Sequence, residues 1–580
     1  MPTTKKSTPT KSVTKSKTKT KQNVERISAH EHERAAHSLD GIFRPRSVAV
    51  IGASTRARSI GRQTLYNLIS AEFQGKVFPV NPKAEVINSI KAYPSVLDIP
   101  DPVDLALIIV PRELAPKVAE ECGRKGVKGL VVISAGFKEA GGIGVELEKQ
   151  VLDIARKYNM RMVGPNCFGV VNTEESVRLN ATFGKIYPDR GKIAFVSQSG
   201  ALGEAIMVHA KELNIGFSMI ASIGNKADIS GNDLLEYWAE DPGTEIILMY
   251  IENFGNPRKF IQIARQLSRR KPIVVVKSGR TAPGARAASS HTGALAALDV
   301  GVDAFFEQTG VIRVDTVEQL FDVAAALANQ PIPPGRRVAV ATNAGGPAIL
   351  AVDAMVSQGL KVPQLGEGIK KKLKSKLPAE TNFSNPLDLI AGAGPKEFEA
   401  ALRALKSDRS FDAIISIFVP PIHRDPLEVS QAIVRGVAGS TKPTLACFMG
   451  VRSGSPGVNF LKEHGIPVYS FPEAIGKTLE RLAWYHEWQN RKRGFVPHYE
   501  VDKKRVEKIL GRAQREGARE IVGPEALKIL DAYGIATARY EIAESLADAQ
   551  ALARKMGYPV VMKINTPQVL HKTEVSGVQV

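Results

Sequence analysis

The chain has 580 residues, well beyond the size at which a single hydrophobic core keeps growing, so several domains are expected. Hydrophobic residues make up 43% of it, and no apolar run approaches the roughly 20 residues that a membrane-spanning helix needs. The three cysteines are scattered without a C-x-x-C spacing, which argues against a disulfide framework or a structural zinc site. This composition predicts a globular α/β protein of the reducing cytoplasm, with no membrane partner.

The formal net charge of +19 is concentrated partly at the amino terminus. The first 22 residues contain seven lysines and no acid, which leaves +12 for the rest of the chain. We expect residues 1–38 to form a disordered basic tail, because a Lys/Thr/Ser composition supplies no apolar face. Contact of this tail with nucleic acid or an anionic surface is the less favoured alternative. The remaining excess would attract polyanionic small molecules such as nucleotides or coenzyme A.

Short β-branched runs alternate with amphipathic stretches along most of the chain, a pattern that predicts parallel strands joined by crossover helices. One series runs from "SVAVIGAS" to "RMVGPN" and a second from "KIAFVSQSG" to "KPIVVVKSG". After the proline-rich "QPIPPGRR", a third contains "RVAVATNAGG", "FDAIISIFVP" and "KPTLACFMG". The prediction is an α/β fold with three consecutive Rossmann-like or flavodoxin-like doubly wound domains, over residues 39–165, 166–330 and 331–490.

A polar, charged stretch over residues 491–520 reads as a linker. Residues 521–580 then show a helix, strand, helix, strand pattern that ends at Val580 before a sheet could be complete. This segment is therefore expected to be the beginning of a further domain.

The first strand-to-helix turn, "VAVIGASTRARSIGRQTL", contains Gly52 and Ser54. Backbone N–H groups and the helix dipole at such a turn favour an anion. A dinucleotide site would place a carboxylate after the second strand, but "KVFPVNPKAE" offers Asn81 and Lys83 there. A cation suits a phosphorylated ribose, as in coenzyme A or NADP, better than NAD. The alternative is that Lys83 is only a solvated surface residue.

Two further turns have the same composition, one within "AFVSQSGALGEAIM" and one within "VAVATNAGGPAILAVDAM". Each places small residues at the start of a helix that follows a strand, where the helix dipole favours negative charge. Either could be no more than a tight turn, yet three such turns in one chain favour phosphate chemistry. The candidate phosphate-binding residues are Ser197, Ser199, Gly200, Asn343, Gly345 and Gly346.

His291 lies among alanines, serines and glycine in "ARAASSHTGALAALD". A lone histidine is often structural, but a neutral imidazole can also carry a phosphoryl group on nitrogen. That role needs a carboxylate to orient the ring and fix its tautomer. Glu252, at the end of the strand "EIILMYIEN", is the candidate, unless it is simply an exposed carboxylate at a strand end.

Seven motifs occur in order: "SVAVIGAS", "VNPK", "GPNCFGVVN", "VSQSGAL", "SSHTGALA", "TNAGGPAI" and "NPLDL". Together they closely resemble the NDP-forming acyl-CoA synthetases, the acetate–CoA ligase (ADP-forming) branch of the succinyl-CoA synthetase superfamily. The resemblance extends over about residues 39–580. It implies that the first domain binds coenzyme A, that His291 is phosphorylated with Glu252 as its partner, and that the two later turns converge on the phosphohistidine. The coenzyme residues implied are Gly52, Ser54, Asn81, Lys83, Val110, Pro111, Ser134 and Asn166.

The C-terminal segment resembles the start of an ATP-grasp domain. There the resemblance implies that Lys563 contacts nucleotide phosphate and that His571, in "LHKTEVSGV", relays phosphate towards the nucleotide. Ser576 stands where glycine is usual. The second lobe and the acidic Mg²⁺ ligands of such a domain are expected elsewhere, in cis or in a partner chain, within a homo- or hetero-oligomer.

The resemblance implies the reaction carboxylic acid + CoA + ATP ⇌ acyl-CoA + ADP + phosphate, through an acyl phosphate and phosphohistidine. One alternative is the coenzyme-binding regulatory region of a protein lysine acetyltransferase of the same family. Another is a non-catalytic nucleotide-binding protein built from Rossmann-like repeats. The acid, and ADP as opposed to GDP, are not indicated by the residues.

Overall fold

The computed structural model describes residues 39–281, 283–284, 299–492, 499–518, 520–566 and 573–580, so the predicted tail lies outside the described residues. The chain divides into two compact units, Met1–Arg491 and Lys492–Val580. Within the described ranges, no helix combines the length and apolarity needed to cross a bilayer.

The first sheet is built from β-branched runs that are buried at nearly every position, as expected for parallel strands covered by helices. Its strands are β1 (Ser47–Ile51), β2 (Lys76–Val80), β5 (Leu105–Ile108), β6 (Gly129–Val132) and β7 (Arg161–Val163), with a small hairpin of β3 (Val86–Ile87) and β4 (Ile90–Lys91). The helices are α1 (Asp40–Phe43), α2 (Ile60–Ser70), α3 (Ala115–Lys125) and α4 (Ile143–Lys157). The strands are parallel in the order β2-β1-β5-β6-β7.

The second sheet has seven strands. They are β8 (Gly169–Asn172), β9 (Leu179–Thr182), β10 (Arg190–Ser197), β11 (Phe217–Ser222), β12 (Ile246–Ile251), β13 (Ile273–Lys277) and β14 (Ile312–Val314). The helices are α5 (Gly200–Glu212), α6 (Gly231–Glu240), α7 (Pro257–Leu267), α8 (Asp299–Thr309) and α9 (Val317–Asn329). In the order β14-β13-β12-β10-β11-β8-β9, only the hairpin β8–β9 runs antiparallel to its neighbours. That hairpin was not predicted, because its short strands carry no alternation that separates them from loop.

The third sheet repeats the doubly wound pattern. Its strands are β15 (Val338–Thr342), β16 (Asn382–Phe383), β17 (Leu387–Asp388), β18 (Ala413–Phe418), β19 (Thr444–Phe448) and β20 (Val468–Tyr469). The helices are α10 (Gly345–Ser357), α11 (Glu367–Lys374), α12 (Pro395–Ser407), α13 (Pro426–Val437), α14 (Pro456–Glu463) and α15 (Pro472–Asn490). The order is β16-β17-β15-β18-β19-β20, and all pairs except β16–β17 are parallel.

The three sheets of the first unit share hydrophobic cores. One cluster joins the first sheet to the second, with Val48 of β1 and Met249 of β12 among its members. Another joins the second sheet to the third through α9 and α15, which contribute Phe321 and Leu482. Asn67 of α2 also donates hydrogen bonds of 2.8 and 2.6 Å to the carbonyl oxygens of Thr182, the last residue of β9, and Gly184. The loops at the strand ends are therefore held in one packed framework.

The second unit contains α16 (Lys503–Arg515), α17 (Pro524–Ala532) and α18 (Leu546–Met556). It also contains the antiparallel pair β21 (Met562–Lys563) and β22 (Val578–Gln579). The strand predicted between α17 and α18 is absent from residues 535–545, all of which the structure describes. A β-branched run forms a strand only where it finds a partner to pair with.

Candidate functional site

The residues predicted to bind coenzyme A lie together at the carboxyl edge of the first sheet. A loop that carries one or two of these residues follows each of the five parallel strands at this edge. The carboxyl edge is where open α/β sheets bind ligands. The residues after the strands are Asn81 (β2), Gly52 and Ser54 (β1), Val110 and Pro111 (β5), Ser134 (β6) and Asn166 (β7).

The glycine turn after β1 depends on two close approaches. Gly52 has φ +100°, and a Cβ placed on it would lie 2.3 Å from the Ile109 carbonyl oxygen. A Cβ on Gly61 would lie 2.0 Å from the Gly52 oxygen, so α2 packs directly on the turn. The Asn81 side chain donates to the Ala53 oxygen at 2.7 Å. These contacts hold the start of α2 at the sheet edge, where the N–H groups of a first helical turn can bind an anion.

Cations surround this turn. Asn81 accepts from the backbone N–H of Lys83 at 2.8 Å, which holds Lys83 beside the turn. Arg56, Arg58 and Arg62 are exposed in and just after the same turn. These arginines were not among the predicted site residues, although the basic run "RARSIGR" in the turn indicates a cluster of positive charge. Four cations beside a helix N-terminus fit a polyanionic ligand such as coenzyme A.

Hydrogen bonds link the loops after β5, β6 and β7 at the other side of this edge. Ser134 donates through its hydroxyl to the Val110 oxygen at 2.5 Å, and the Asn166 N–H donates to the Ser134 oxygen at 3.0 Å. Asn166 has φ +58°, in the left-handed region that asparagine tolerates. Three of the predicted coenzyme residues, after three different strands, are thus connected.

A loop of the second sheet crosses onto this edge. Gly224, after β11, has φ +50°, and a Cβ on it would lie 2.4 Å from the Asn166 oxygen. The Asn225 side chain donates to Glu139 at 2.5 Å and to Glu148 at 2.7 Å. The residues that follow β11 therefore lie against the predicted coenzyme site, a contact that the sequence analysis missed.

Glu252 follows β12 at the carboxyl edge of the second sheet, next to the turn after β10. The Gln198 side-chain oxygen accepts from the N–H of Glu252 at 2.6 Å and from that of Asn253 at 3.1 Å. The Gln198 amide group donates to the Asn253 oxygen at 2.8 Å. The backbone that carries the Glu252 carboxylate is held by this one side chain.

The third sheet repeats the arrangement. Asn343, after β15, donates to the Val419 oxygen at 2.8 Å and accepts from the Val419 N–H at 2.9 Å. Thr342 and Ser197 each accept from the N–H two residues ahead, at 3.0 and 3.1 Å, and donate back to its carbonyl. The side chains of Ser197 and Asn343 thus hold the backbone of their turns in place.

Both turns lead into helices of 13 residues. Ser199 caps α5 by accepting from the Leu202 N–H at 3.4 Å, and Gly200 begins the helix. Gly345 begins α10, and Gly346 has no neighbour that a Cβ would meet within 4 Å. The first N–H groups of each helix have no intrahelical partner, which suits an oxyanion.

Lys226 lies between the carboxyl edge of the first sheet and that of the second. Its ammonium group donates to the Asn253 oxygen at 3.1 Å and also contacts the Asn253 side-chain oxygen. Burial lowers the pKa of Lys226 to about 8, against the opposing attraction of Glu252 and with a smaller lowering from Lys138. No sequence motif indicated a role for this lysine.

The two predicted phosphate-carrying histidines, His291 and His571, lie outside the described residues. Lys563 lies on β21 in the second unit and is exposed. Ser576, where the resemblance expects glycine, has φ +54°, in the region that favours glycine. No group of three or more His, Cys, Asp or Glu side chains suited to a metal ion occurs among the described residues.

Family models match four successive parts of the chain: a CoA binding domain over residues 46–173, a succinyl-CoA ligase like flavodoxin domain over 190–327, a ligase-CoA domain over 338–491 and an ATP-grasp domain over 512–580. The chain is 41% identical to acetate–CoA ligase (ADP-forming) I of Archaeoglobus fulgidus over 93% of its own length and 77% of that protein. It is 41% identical to the alpha subunit of acetate–CoA ligase (ADP-forming) I of Pyrococcus furiosus, over 78% of this chain and 98% of that subunit.

Among solved structures, the chain is similar to the dinucleotide-forming acetyl-coenzyme A synthetase 1 of Ca. Korarchaeum cryptofilum in complex with phosphate and ADP. The TM-score is 0.73 at 39% identity, and the match covers 78% of this chain and 97% of that one.

Proposed function

Since the chain belongs to the ADP-forming acid–CoA ligase family, we propose that it joins a small carboxylic acid to coenzyme A through the residues placed at the two sheet edges. The chain is an acid–thiol ligase, and its reaction interconverts acyl-CoA, ADP and phosphate with the acid, CoA and ATP.

In the first step, phosphate attacks the thioester carbonyl and CoA leaves. The glycine turn at Gly52 and the cations beside it, including Lys83, would hold the phosphates of the coenzyme. Asn166 is contacted by Gly224 of the second sheet's loop after β11, so the thiol end of the coenzyme is proposed to lie on this side, towards Glu252. Positioning of this kind is the main contribution that a protein makes to such chemistry.

In the second step, His291 takes the phosphoryl group from the acyl phosphate. Glu252 orients the imidazole and favours the tautomer that can attack. The N-termini of α5 and α10, at Ser199 and Gly345, would hold the oxygens of the transferred group.

In the last step, ADP receives the phosphoryl group, with Lys563 and His571 as the proposed contacts in this chain. Mg²⁺ would neutralise charge on the nucleotide, and its ligands are proposed to lie in the rest of the ATP-grasp region, in cis or in a partner chain. The match to a protein described as a subunit alpha supports an assembly of chains, homo- or hetero-oligomeric. A cytoplasmic location is proposed because all three cysteines are free thiols.

The observation that carries the proposal is the hold of Gln198 on Glu252. It holds the backbone of Glu252 at a strand end beside a helix N-terminus, in the sheet whose strand β13 precedes His291 along the chain.

Labelling of the enzyme tests the proposal. Incubation with acetyl-CoA and radioactive phosphate, and then with other acyl-CoAs, should leave acid-labile, base-stable label on the protein. His291→Ala should abolish the label without changing coenzyme A affinity, and Glu252→Gln should slow its appearance by about 10²-fold. His464→Ala, an exposed histidine of the third domain, is the matched control and should label normally.

Label that survives His291→Ala would contradict the assignment of the phosphohistidine. Ligand binding without any label in the wild-type chain would favour the non-catalytic alternative. The regulatory region of an acetyltransferase would bind coenzyme A and acquire no phosphate.

A further inference from the structure

The loop after β11 makes contact with both proposed half-sites. Gly224 packs on the Asn166 oxygen and Asn225 binds Glu139 and Glu148 of the first domain. The next residue, Lys226, donates instead to Asn253 of the second sheet, the residue after Glu252. Three successive residues thus connect the carboxyl edge of the first sheet, where coenzyme A is proposed to bind, with the carboxyl edge of the second sheet at Glu252.

Lys226 is held in place by more than one contact. Its backbone has φ +49°, a left-handed conformation that costs energy for a lysine and persists only where its surroundings enforce it. Its N–H donates to the Ile223 oxygen at 2.8 Å. Its ammonium group and the Gln198 amide group share the Asn253 carbonyl as acceptor, so it lies beside the turn that leads into α5.

We propose that Lys226 is a catalytic residue that binds the phosphate dianion during its attack on the thioester and keeps hold of the resulting acyl phosphate until His291 accepts the phosphoryl group. This inference rests on the proposed function. The phosphate oxygen forms a bond to the acyl carbon, the carbon–sulfur bond breaks, and the proton of the hydrogen phosphate goes to the departing thiolate. Lys226 supplies positive charge at the join of the two half-sites and undergoes no covalent change.

The groups around Lys226 leave its ammonium group only partly compensated by negative charge. Glu252, from the loop after β12, attracts it, and Lys138, from the first domain, repels it. Glu139 and Glu148 are occupied with the neighbouring Asn225. Burial lowers the pKa of Lys226 to about 8, so the site holds an ammonium group that is short of counter-charge. A dianion would supply that charge and raise the pKa, with uptake of a proton above about pH 8.

The kinetic test compares Lys226→Met, Lys226→Arg and the wild-type chain in the labelling reaction. Lys226→Met should raise the KM for inorganic phosphate by about 10- to 100-fold, the effect of losing one charged hydrogen bond. Lys226→Arg should recover most of the phosphate affinity, and coenzyme A affinity should stay unchanged in both. Lys211→Met, an exposed lysine of α5, should behave like the wild type. An unchanged KM for phosphate in Lys226→Met would overturn the proposal.

A binding test does not depend on turnover. Sulfate stays a dianion from about pH 6.5 to about pH 9.5, so the pH dependence of its binding reports on the protein. In calorimetry, sulfate affinity should fall above about pH 8 in the wild type and stay level in Lys226→Arg, whose guanidinium does not titrate there. The same pH dependence in both proteins would show that another group governs the site.

The outcomes separate this inference from the proposed function. Absence of label in the wild type, with the sulfate result as expected, would reject the phosphohistidine chemistry and retain Lys226 as an anion ligand. Normal labelling with no phosphate effect in Lys226→Met would reject Lys226 alone. Melting curves guard against unfolding: removal of a desolvated cation should leave the melting temperature unchanged or higher, and a large fall would show that Lys226 is structural.

Discussion

The Gln198 side-chain oxygen accepts a hydrogen bond of 2.6 Å from the backbone N–H of Glu252, across two neighbouring parallel strands. Gln198 is almost fully buried, and its amide group donates a hydrogen bond to the carbonyl oxygen of Asn253, the residue after Glu252. The glutamine thus holds the backbone of a proposed catalytic carboxylate while leaving that carboxylate for other contacts. Asn343 holds Val419 in the same way in the third sheet.

Gln198→Ala should slow the formation of phosphohistidine by about 10²-fold, because a displaced Glu252 no longer aligns the ring. Coenzyme A affinity should be unchanged. The measurement is the rate of label incorporation from acyl-CoA and phosphate. Asn172→Ala removes two hydrogen bonds from a buried amide at the end of β8, at the opposite edge of the second sheet, and should lower stability with a much smaller effect on this rate. Equal slowing by both variants would point to general loosening.

Asn225 separates two carboxylates of the first domain, Glu139 and Glu148, by donating to both. Asn225→Ala should reduce the free energy of unfolding by roughly 1–3 kcal/mol, the effect of removing two hydrogen bonds to part-buried carboxylates. Asn225→Asp should be worse at pH 7.5, because it places a third negative charge between them, and the gap between the two variants should shrink near pH 5. Urea titrations at both pH values measure this. A gap independent of pH would contradict the charge argument.

Gly61 has no room for a side chain, since its Cβ would lie 2.0 Å from the Gly52 oxygen. Gly61→Ala should push α2 away from the glycine turn and weaken coenzyme A binding by about 10-fold or more, together with a loss of stability of roughly 1–3 kcal/mol. Calorimetry with coenzyme A measures the binding. Gly301→Ala is the control: it lies in α8 with open space around it and should be neutral or slightly stabilising.

Lys83→Glu should weaken binding of coenzyme A by about 10-fold or more, with much less effect on dephospho-coenzyme A, which lacks the ribose phosphate. The reason is that Lys83 is held beside the turn where a phosphorylated ribose is expected. Lys149→Glu makes the same charge change at an exposed position of α4 and should affect both ligands equally and weakly. Equal losses for both ligands in Lys83→Glu would indicate a general field effect.

Asp322 of α9 is half-buried, and burial, with a smaller contribution from Glu318, raises its pKa to about 7. An acid whose folded pKa is raised contributes stability that is present below its unfolded value near 4 and is lost as the pH rises through about 7. Asp322→Asn should therefore match the wild type near pH 4 and exceed it by roughly 1–3 kcal/mol at pH 8. Urea titrations between those values measure the gap. Asp353→Asn, an exposed aspartate of α10, should show no such trend.

Local patterns were enough to predict the α/β class, the three doubly wound series and the turns that follow their strands. These features depend on short-range physics: β-branched runs, glycines at tight turns and the capping of the helices that follow. The motif resemblance was confirmed by the family models and relatives. The residue roles assigned from it, including that of His291, remain predictions.

The tertiary structure decided which loops meet. Asn225 reaches Glu139 across 86 positions, and Lys226, after β11, reaches Asn253, after β12, past the strand β10 that lies between them, although neither residue belongs to a local pattern. The hairpin β8–β9 joins the second sheet through antiparallel pairing of β8 with β11, a strand more than 40 residues later in the chain. Hydrogen bonds and burial of this kind depend on which sheet edges share a core, so the pKa of Lys226 and its place between the two half-sites follow from packing.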